Sequence, residues 1–587
     1  MKYLWYNKEL KEVIKMQEKY FNKLSVLQIL QKANDLYSDK VALEIFEKDG
    51  RMRMVTYCEL TDRTRDISAT LIKNGIEKGD RVCIFSESRP EWGIAFFGIV
   101  TAGAVVVPLD IKLEEKEISF ILTHSEARAI IVSGKYIEKT KSIISGFGKD
   151  IFLISLEYEK TDENLLSFGE LRWRKNEPYH RDIDNEDLIS IVYTSGTTGD
   201  PKGVKLTYNN ILHQIEAISK IISFSEKDRF LSILPLNHMF EITGGFIIPL
   251  SKGARITYMS KGIKLSSISA VMRKTQPTII LAVPKFIKFL YHSILSRLSS
   301  SSRYTRKLFN MSLDISSKFG KLGINPGKML FKKIHKEFGW ELRCFISGGA
   351  PLDAEITRNL NLMGITVLEG YGLTETSPVV TVNTFRHNRI GSVGKPLPGT
   401  EIKIASQNPE DKIGEILIRG PQVMNGYYKN PRATEKAFSN GWFHTGDIGH
   451  TDEDGYLYIT GRLKNIIITD GGKKIHPEEV EEVLSKSPYI QEICVLGKKV
   501  ASGIKAGTEE VFAIVVPNLE KIKKDGLALK EDIRSFIREE IHKHCKLLAP
   551  YKKITNFLIS EKELPKTSTQ KIKRKEVEKI VSGNDKT

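Results

Sequence analysis

The segment LISIVYTSGTTGDPKGVKLT, Leu188 to Thr207, decides how this chain is read. Its apolar start, Leu188 to Tyr193, predicts a buried strand. The strand empties into a loop in which Thr194, Ser195, Thr197 and Thr198 are interleaved with Gly196 and Gly199, and Lys202 follows. Small residues let backbone N–H groups approach phosphate oxygens, hydroxyls add donors, and a lysine neutralises charge. This is the composition of a polyphosphate cradle. It is not the P-loop form, because Lys202 lies beyond Gly199 and is followed by Gly203 rather than Ser or Thr.

Upstream of the loop, short apolar runs alternate with helix-length amphipathic stretches. Residues 81–86, 104–108 and 128–133 read as strands, and 91–102 and 115–124 as helices. Such alternation predicts layered α/β structure with parallel sheets buried on both faces. Trp92 to Leu109 is free of charge for eighteen residues, the lower limit for a membrane span. Three glycines, Thr101 and Pro108 interrupt it, and its second half is Val-rich, so it reads as a buried helix, a turn near Gly103 and a buried strand. Downstream, from about 391 to 458, glycines recur between brief alternating strands, which predicts a small antiparallel or barrel-like unit. A mixed α+β segment follows, with the domain boundary placed between 461 and 462.

The 587 residues, 41% hydrophobic and 27% charged, are enough for two to four domains with real cores, which excludes a peptide or a disulfide miniprotein. Lys plus Arg (89) less Asp plus Glu (72) leaves +17, favouring anionic partners. The five cysteines, Cys58, Cys83, Cys344, Cys494 and Cys545, are odd in number and have no zinc spacing, which points to a reducing, cytoplasmic setting. The first twenty residues never sustain a secretory apolar core. Leu10, Val13, Ile14 and Phe21 there suggest an amphipathic helix docked on its own domain.

Further motifs follow in order: VTYCEL (55–60), AGAVVVPLD (102–110), LPLNHMFE (234–241), SGGAPL (347–352), EGYGLTETSP (369–378), GYYKNPRAT (426–434), WFHTGDIG (442–449), GRLKNIIITDGGKKIHPEEVE (461–481) and LPKTSTQKIKR (564–574). With the loop at Thr194 to Lys202, this ordered set resembles the adenylate-forming (AMP-binding) superfamily, which includes acyl-CoA synthetases, luciferases and peptide-synthetase adenylation domains. The resemblance covers nearly the whole chain. It implies a large body, residues 1–461, that binds ATP and a carboxylic acid, and a small mobile domain, 462–587, turning about a hinge at Lys464.

The implied reaction joins a carboxylate to the α-phosphate of ATP with loss of pyrophosphate, after which a thiol, usually coenzyme A, displaces AMP. An anion must approach a polyanion, so the site needs cations and oriented donors more than a protein nucleophile. By resemblance, the Thr194–Lys202 loop holds the β- and γ-phosphates, and Gly348, Gly349 and Ala350 wall the adenine. Within Glu369, Gly370, Tyr371 and Gly372, the tyrosine stacks on adenine, Thr374 bonds near the α-phosphate, and Glu375 holds Mg²⁺. Asp447 takes the ribose hydroxyls, with Arg462 beside it. Lys571 bridges the substrate carboxylate and the α-phosphate. Gln570 stands before it where the family usually has glycine. Gly471 and Gly472 belong to the face turned inward for thioester formation.

His238 stands where the family orients the acid, and Gly244 and Gly245 follow in an apolar run compatible with an alkyl chain. No aspartate motif for an amino-acid ammonium appears. The long stretch from Leu281 to Trp340 resembles long-chain fatty acyl-CoA synthetases and carries 12 Lys/Arg against 2 acids, a balance of +10. A solvated face, an anionic membrane surface at the inner side of the cell envelope, and an acidic acyl carrier protein or coenzyme A all suit that excess. No nucleic-acid module accompanies it. The expected activity is therefore an ATP- and Mg²⁺-dependent fatty acid–CoA ligase for medium or long chains. The alternatives are a fatty acyl-AMP ligase or acyl-carrier-protein synthetase and, in another class, a non-catalytic acyl- or nucleotide-binding relative.

Overall fold

The structure is a computed structural model that describes residues 26–147, 151–159, 165–194, 201–260, 267–320, 322–406, 411–469, 473–499, 509–526, 533–567 and 571–584. The helix expected around Leu10 to Phe21 lies outside these residues. Two compact units are present. One runs to Glu401 and includes Arg419–Gly441; the other holds Ile402–Ile418 and the chain from Trp442 onward.

The first unit contains a seven-stranded and a nine-stranded sheet. At the centre of the seven-stranded sheet, Arg81–Phe85 pairs in parallel with Val105–Pro108 and with Ala127–Val132. Leu188–Thr194 joins in parallel beside Val105–Pro108, then pairs antiparallel with Lys202–Thr207 at the edge. In the nine-stranded sheet, Ile279–Ala282, Cys344–Ser347 and Thr366–Gly372 run parallel. This is the α/β layering that the apolar runs predicted.

The uncharged stretch from Trp92 resolves as expected. Pro90–Thr101 is a helix buried at every position, and Val105–Pro108 is a fully buried strand. Between them Gly103 has φ +73°, a left-handed turn that a side chain would strain. The helix stays inside because its surroundings are protein: Trp92 and Phe96 pack on Phe246 with ring centroids 6.1 and 5.7 Å apart. Gly98 leaves room for Ile67, which would stand 2.5 Å from an added Cβ. Each such buried aromatic contributes about 1.5–3 kcal/mol. Among the described residues no helix is long and apolar enough to cross a membrane.

Almost wholly in the second unit, Gly414–Arg419, Trp442–Thr451 and Leu457–Arg462 form an antiparallel sheet with Glu401–Ala405 beside it. A separate sheet of Ile490–Lys499, Glu509–Pro517 and Asn556–Ile559 alternates its side chains between two cores. Val495 and Val515 face Val480, Leu484 and Ile537. Cys494, Phe512 and Ile514 face Val577 and Val581 of the terminal helix, Arg574–Asn584. Arg574 ties that helix down with two hydrogen bonds to the Glu481 carboxylate, 2.7 and 2.8 Å.

Candidate active site

Thr194 and Lys202 are the last paired residues of one hairpin, and the loop lies between them. Ser195, Gly196, Thr197, Thr198 and Gly199 fall outside the described residues. The loop thus leaves the carboxyl end of a buried parallel strand, where α/β sheets present their ligands. Lys202 extends over the ring of Tyr427, with Nζ 5.1 Å from the centroid, a cation–π contact.

Tyr427 is held against the hairpin by backbone. The Lys205 amide donates to Gly426 O at 3.1 Å and the Tyr428 amide to Gly203 O at 2.7 Å. Its hydroxyl donates to Glu375 Oε1 at 3.0 Å. Burial, and then the Glu375 charge, push the Tyr427 phenol well above its ordinary range, so it remains a donor. Lys202, Tyr427 and Glu375 therefore form one chain of contacts, although 52 residues separate the last two in sequence. In the sequence, the aromatic character of Tyr427 within GYYKNPRAT is the one signal that points to it.

Glu375 sits in a short 3₁₀ turn, Thr374–Thr376, directly after the strand Thr366–Gly372. The turn is built by Thr376, whose hydroxyl accepts from the Leu373 amide at 2.9 Å and donates to Pro378 O at 2.8 Å. The Met424 amide donates to Glu375 O at 2.8 Å. Gly372 is required by space: an added Cβ would stand 1.7 Å from Pro378 O. Tyr371 and Thr374 are half-buried and Glu369 is buried, its Oε1 accepting from Thr357 at 3.3 Å. Gly370 sits on the same strand, opposite Val382. On the neighbouring strand Ser347 aligns with Glu369, which brings Gly348, Gly349 and Ala350 beside this motif. Gly348 packs near the Phe240 ring, while Gly349 and Ala350 are exposed.

His238 is half-buried, and its carbonyl accepts from the amides of Glu241 and Ile242 at the start of a π-helix, Phe240–Ile247. Such wide helices concentrate at functional positions. The Glu241 carboxyl folds back on Gly245 and would stand 2.6 Å from a Cβ there, so the room at Gly245 is filled by Glu241. Gly244 faces Leu281 and is half-buried. Ser232 donates to Glu241 Oε1 at 2.5 Å, Oε2 has no hydrogen-bond partner among the described residues, and burial raises the acid to about 8.

In the second unit Asp447 and Arg462 are register partners on adjacent strands, and Arg462 Nε lies 2.8 Å from Asp447 Oδ1. The Asp447 side chain is 3% exposed and that of Arg462 40%, so the aspartate is aimed by a guanidinium that remains accessible. Lys464 lies in the next turn, Leu463–Asn465, where Asn465 donates to Glu478 Oε1 at 2.6 Å. Lys571 is exposed on a small hairpin. The Thr567 amide donates to Lys571 O at 2.8 Å, and the Lys571 amide to Thr567 Oγ1 at 3.1 Å. Lys566, paired with Ile572 across this hairpin, is anchored by a buried ion pair with Glu492. Gln570, Gly471 and Gly472 fall outside the described residues.

Among the described residues no group of three or more His, Cys, Asp or Glu could hold a metal ion by itself. Glu375 still fits a magnesium site of the kind shared with a nucleotide. Its Oε1 is oriented by Tyr427, and a hard cation held there would complete its shell with phosphate oxygens and water.

Comparison with known proteins bears on this arrangement. Residues 30–428 match the family described as AMP-binding enzyme, and residues 479–571 match the AMP-binding enzyme C-terminal domain. A long-chain-fatty-acid–CoA ligase, FadD15 of Mycobacterium bovis, is 32% identical over 76% of this chain and 76% of its own length. A chloroplastic long-chain-fatty-acid–[acyl-carrier-protein] ligase of Arabidopsis thaliana, AEE15, is 29% identical over 88% of this chain and 80% of its own. The fold is shared with the anthranilate CoA ligase AuaEII in complex with anthranoyl-AMP, at a TM-score of 0.76 and 24% identity, covering 95% of this chain and 97% of that one.

Proposed function

The chain belongs to the AMP-binding enzyme family, and from that premise we propose that it is an ATP-dependent fatty acid–CoA ligase acting on medium or long chains. The observation that carries this reading is the linkage of Lys202, Tyr427 and Glu375 across the base of the phosphate loop. A cation and a carboxylate held by one phenol can take opposite sides of a metal–polyphosphate.

The residues then divide the work. The loop from Thr194 to Lys202, with Ser195, Gly196, Thr197, Thr198 and Gly199, binds the β- and γ-phosphates and retains the departing pyrophosphate. Tyr371 stacks on adenine against Gly348, Gly349 and Ala350; Thr374 bonds at the α-phosphate; Asp447 accepts from the ribose hydroxyls with Arg462 beside it. Mg²⁺, held by Glu375 and phosphate oxygens, supplies charge neutralisation at the phosphates. Lys571 screens the repulsion between substrate carboxylate and α-phosphate as they meet, and the fatty acid is oriented by His238 beside Gly244 and Gly245. Residues 462–587 turn about Lys464 between the two half-reactions, bringing Gly471 and Gly472 toward coenzyme A. The site of action is the cytoplasm, in keeping with five cysteines that are all free thiols.

A second reading, transfer to acyl carrier protein, is supported by the 29% identical relative that carries that name. A non-catalytic relative is disfavoured by the joint presence of Lys202, Glu375, Asp447, Arg462 and Lys571. The test is acid-dependent exchange of pyrophosphate into ATP across a panel of carboxylic acids, followed by thioester formation with coenzyme A and with carrier protein. Exchange with fatty acids and transfer to coenzyme A are expected. No exchange with any acid would overturn the enzymatic reading, and transfer to carrier protein alone would replace coenzyme A as acceptor.

A further inference from the structure

Helix Arg303–Gly320 has two apolar faces. One is accounted for: Phe309 and Leu313 pack on the core beneath, and Ser316 is buried, donating to Leu362 O at 2.6 Å. The other faces solvent. At 3.6 residues per turn, Tyr304, Leu308, Met311 and Phe319 fall within an arc of about 80°, and they are 76%, 45%, 50% and 44% exposed. After the helix, Leu322 and Met329 are also 74% and 72% exposed. Single exposed apolar side chains are ordinary on a protein surface. Four of them on one arc of one helix mark an interaction site.

Its rim is basic. Arg303, Arg306, Lys307 and Lys318 lie on the helix with Asp314 as its one acid, and Lys332 and Lys333 follow. They belong to the stretch whose balance is +10. We propose that this face docks on an anionic lipid bilayer, its apolar stripe entering the boundary between headgroups and acyl chains while the flanking cations meet lipid phosphates. The exposed apolar side chains share one arc of the helix, and Lys318, Lys307 and Arg303 border it along one side. That is the geometry of insertion into a soft surface rather than of charge pairing across a rigid acidic protein. The consequence is a source of substrate, since a bilayer is where free long-chain acids partition.

The experiment needs no turnover, so its outcome is independent of the ligase reading. The full chain is sedimented with vesicles of phosphatidylcholine alone and of phosphatidylcholine with phosphatidylglycerol, at low and high salt. Binding to the anionic vesicles, weakened by salt, is expected. It should fall about tenfold or more both in Leu308→Ser/Met311→Ser/Met329→Ser and in Lys307→Glu/Lys318→Glu. Native circular dichroism and an unchanged melting temperature show that these variants are folded. Equal binding to neutral vesicles, or full binding by both variants, would overturn the proposal. So would a dimer that the apolar variant abolishes, or capture of acyl carrier protein by this face without vesicle binding.

Discussion

The Tyr427 hydroxyl donates to Glu375 Oε1 at 3.0 Å while its ring lies beneath the Lys202 ammonium, 5.1 Å from the centroid. One phenol thus orients both a carboxylate and a cation. A hydrogen bond to a charged group contributes about 1.5–3 kcal/mol, and each 1.4 kcal/mol is tenfold in rate. Tyr427→Phe keeps the ring and removes the donor, so pyrophosphate exchange should fall about tenfold or more, with a raised Mg²⁺ requirement and an unchanged melting temperature. A loss of rate with the Mg²⁺ dependence untouched would mean that Tyr427 does not act through Glu375.

Next to Lys571, the Lys566–Glu492 ion pair braces the chain on the other side of the hairpin, and Lys571 itself is exposed. Lys571→Ala should lower adenylation by about a hundredfold or more, the scale for removing one preorganised charge-stabilising donor. Conversion of supplied acyl-adenylate to thioester should persist. Equal loss in both half-reactions would contradict the division of labour assigned to the terminal segment.

Asp447 is almost fully buried beneath the half-exposed Arg462. Asp447→Asn preserves shape but weakens acceptance from the ribose hydroxyls, so the ATP concentration for half-maximal exchange should rise about tenfold. Stability should change little, because the partially solvated guanidinium is not stranded. If ATP affinity holds while the melting temperature drops, the pair serves only to join its two strands.

Glu241 supplies a pH test. Its folded-state acid lies at about 8, raised chiefly by burial, while in the unfolded chain it titrates near the ordinary carboxylate range. Between those values the folded form holds a proton that the unfolded form has lost, so this group's contribution to stability declines as pH rises through that window. Glu241→Gln removes the titration. Relative to the native chain, the variant should be more stable at pH 8 than at pH 5 by on the order of a few kcal/mol, read from denaturation midpoints. An equal difference at both pH values would show that Glu241 is already ionised in the folded state.

Much of this was legible in the residues. The strands and helices from 81 to 133, the turn at Gly103 and the buried strand that leads into the Thr194 loop follow from local periodicity and loop chemistry, which depend on neighbours along the chain; that Lys202 opens a strand pairing back on it does not. Tyr427 was not legible as a partner of Glu375, because the contact depends on which distant segment bridges to the phosphate hairpin. Nor was the filling of Gly245 by Glu241. A run of apolar residues does not distinguish an α-helix from the wider π-helix that folds that carboxyl back.

The sequence by itself determined the α/β alternation, the order of the motifs and the chemistry of each candidate group, since these reside in residue type and spacing. Tertiary structure alone decided which groups meet: Tyr427 with both Lys202 and Glu375, and Asp447 with Arg462. It also decided which of two apolar faces of Arg303–Gly320 is spent on the core and which remains outside. Amphipathic spacing shows that a helix has apolar faces, but what covers each face is set by topology, through contacts between segments distant in the chain.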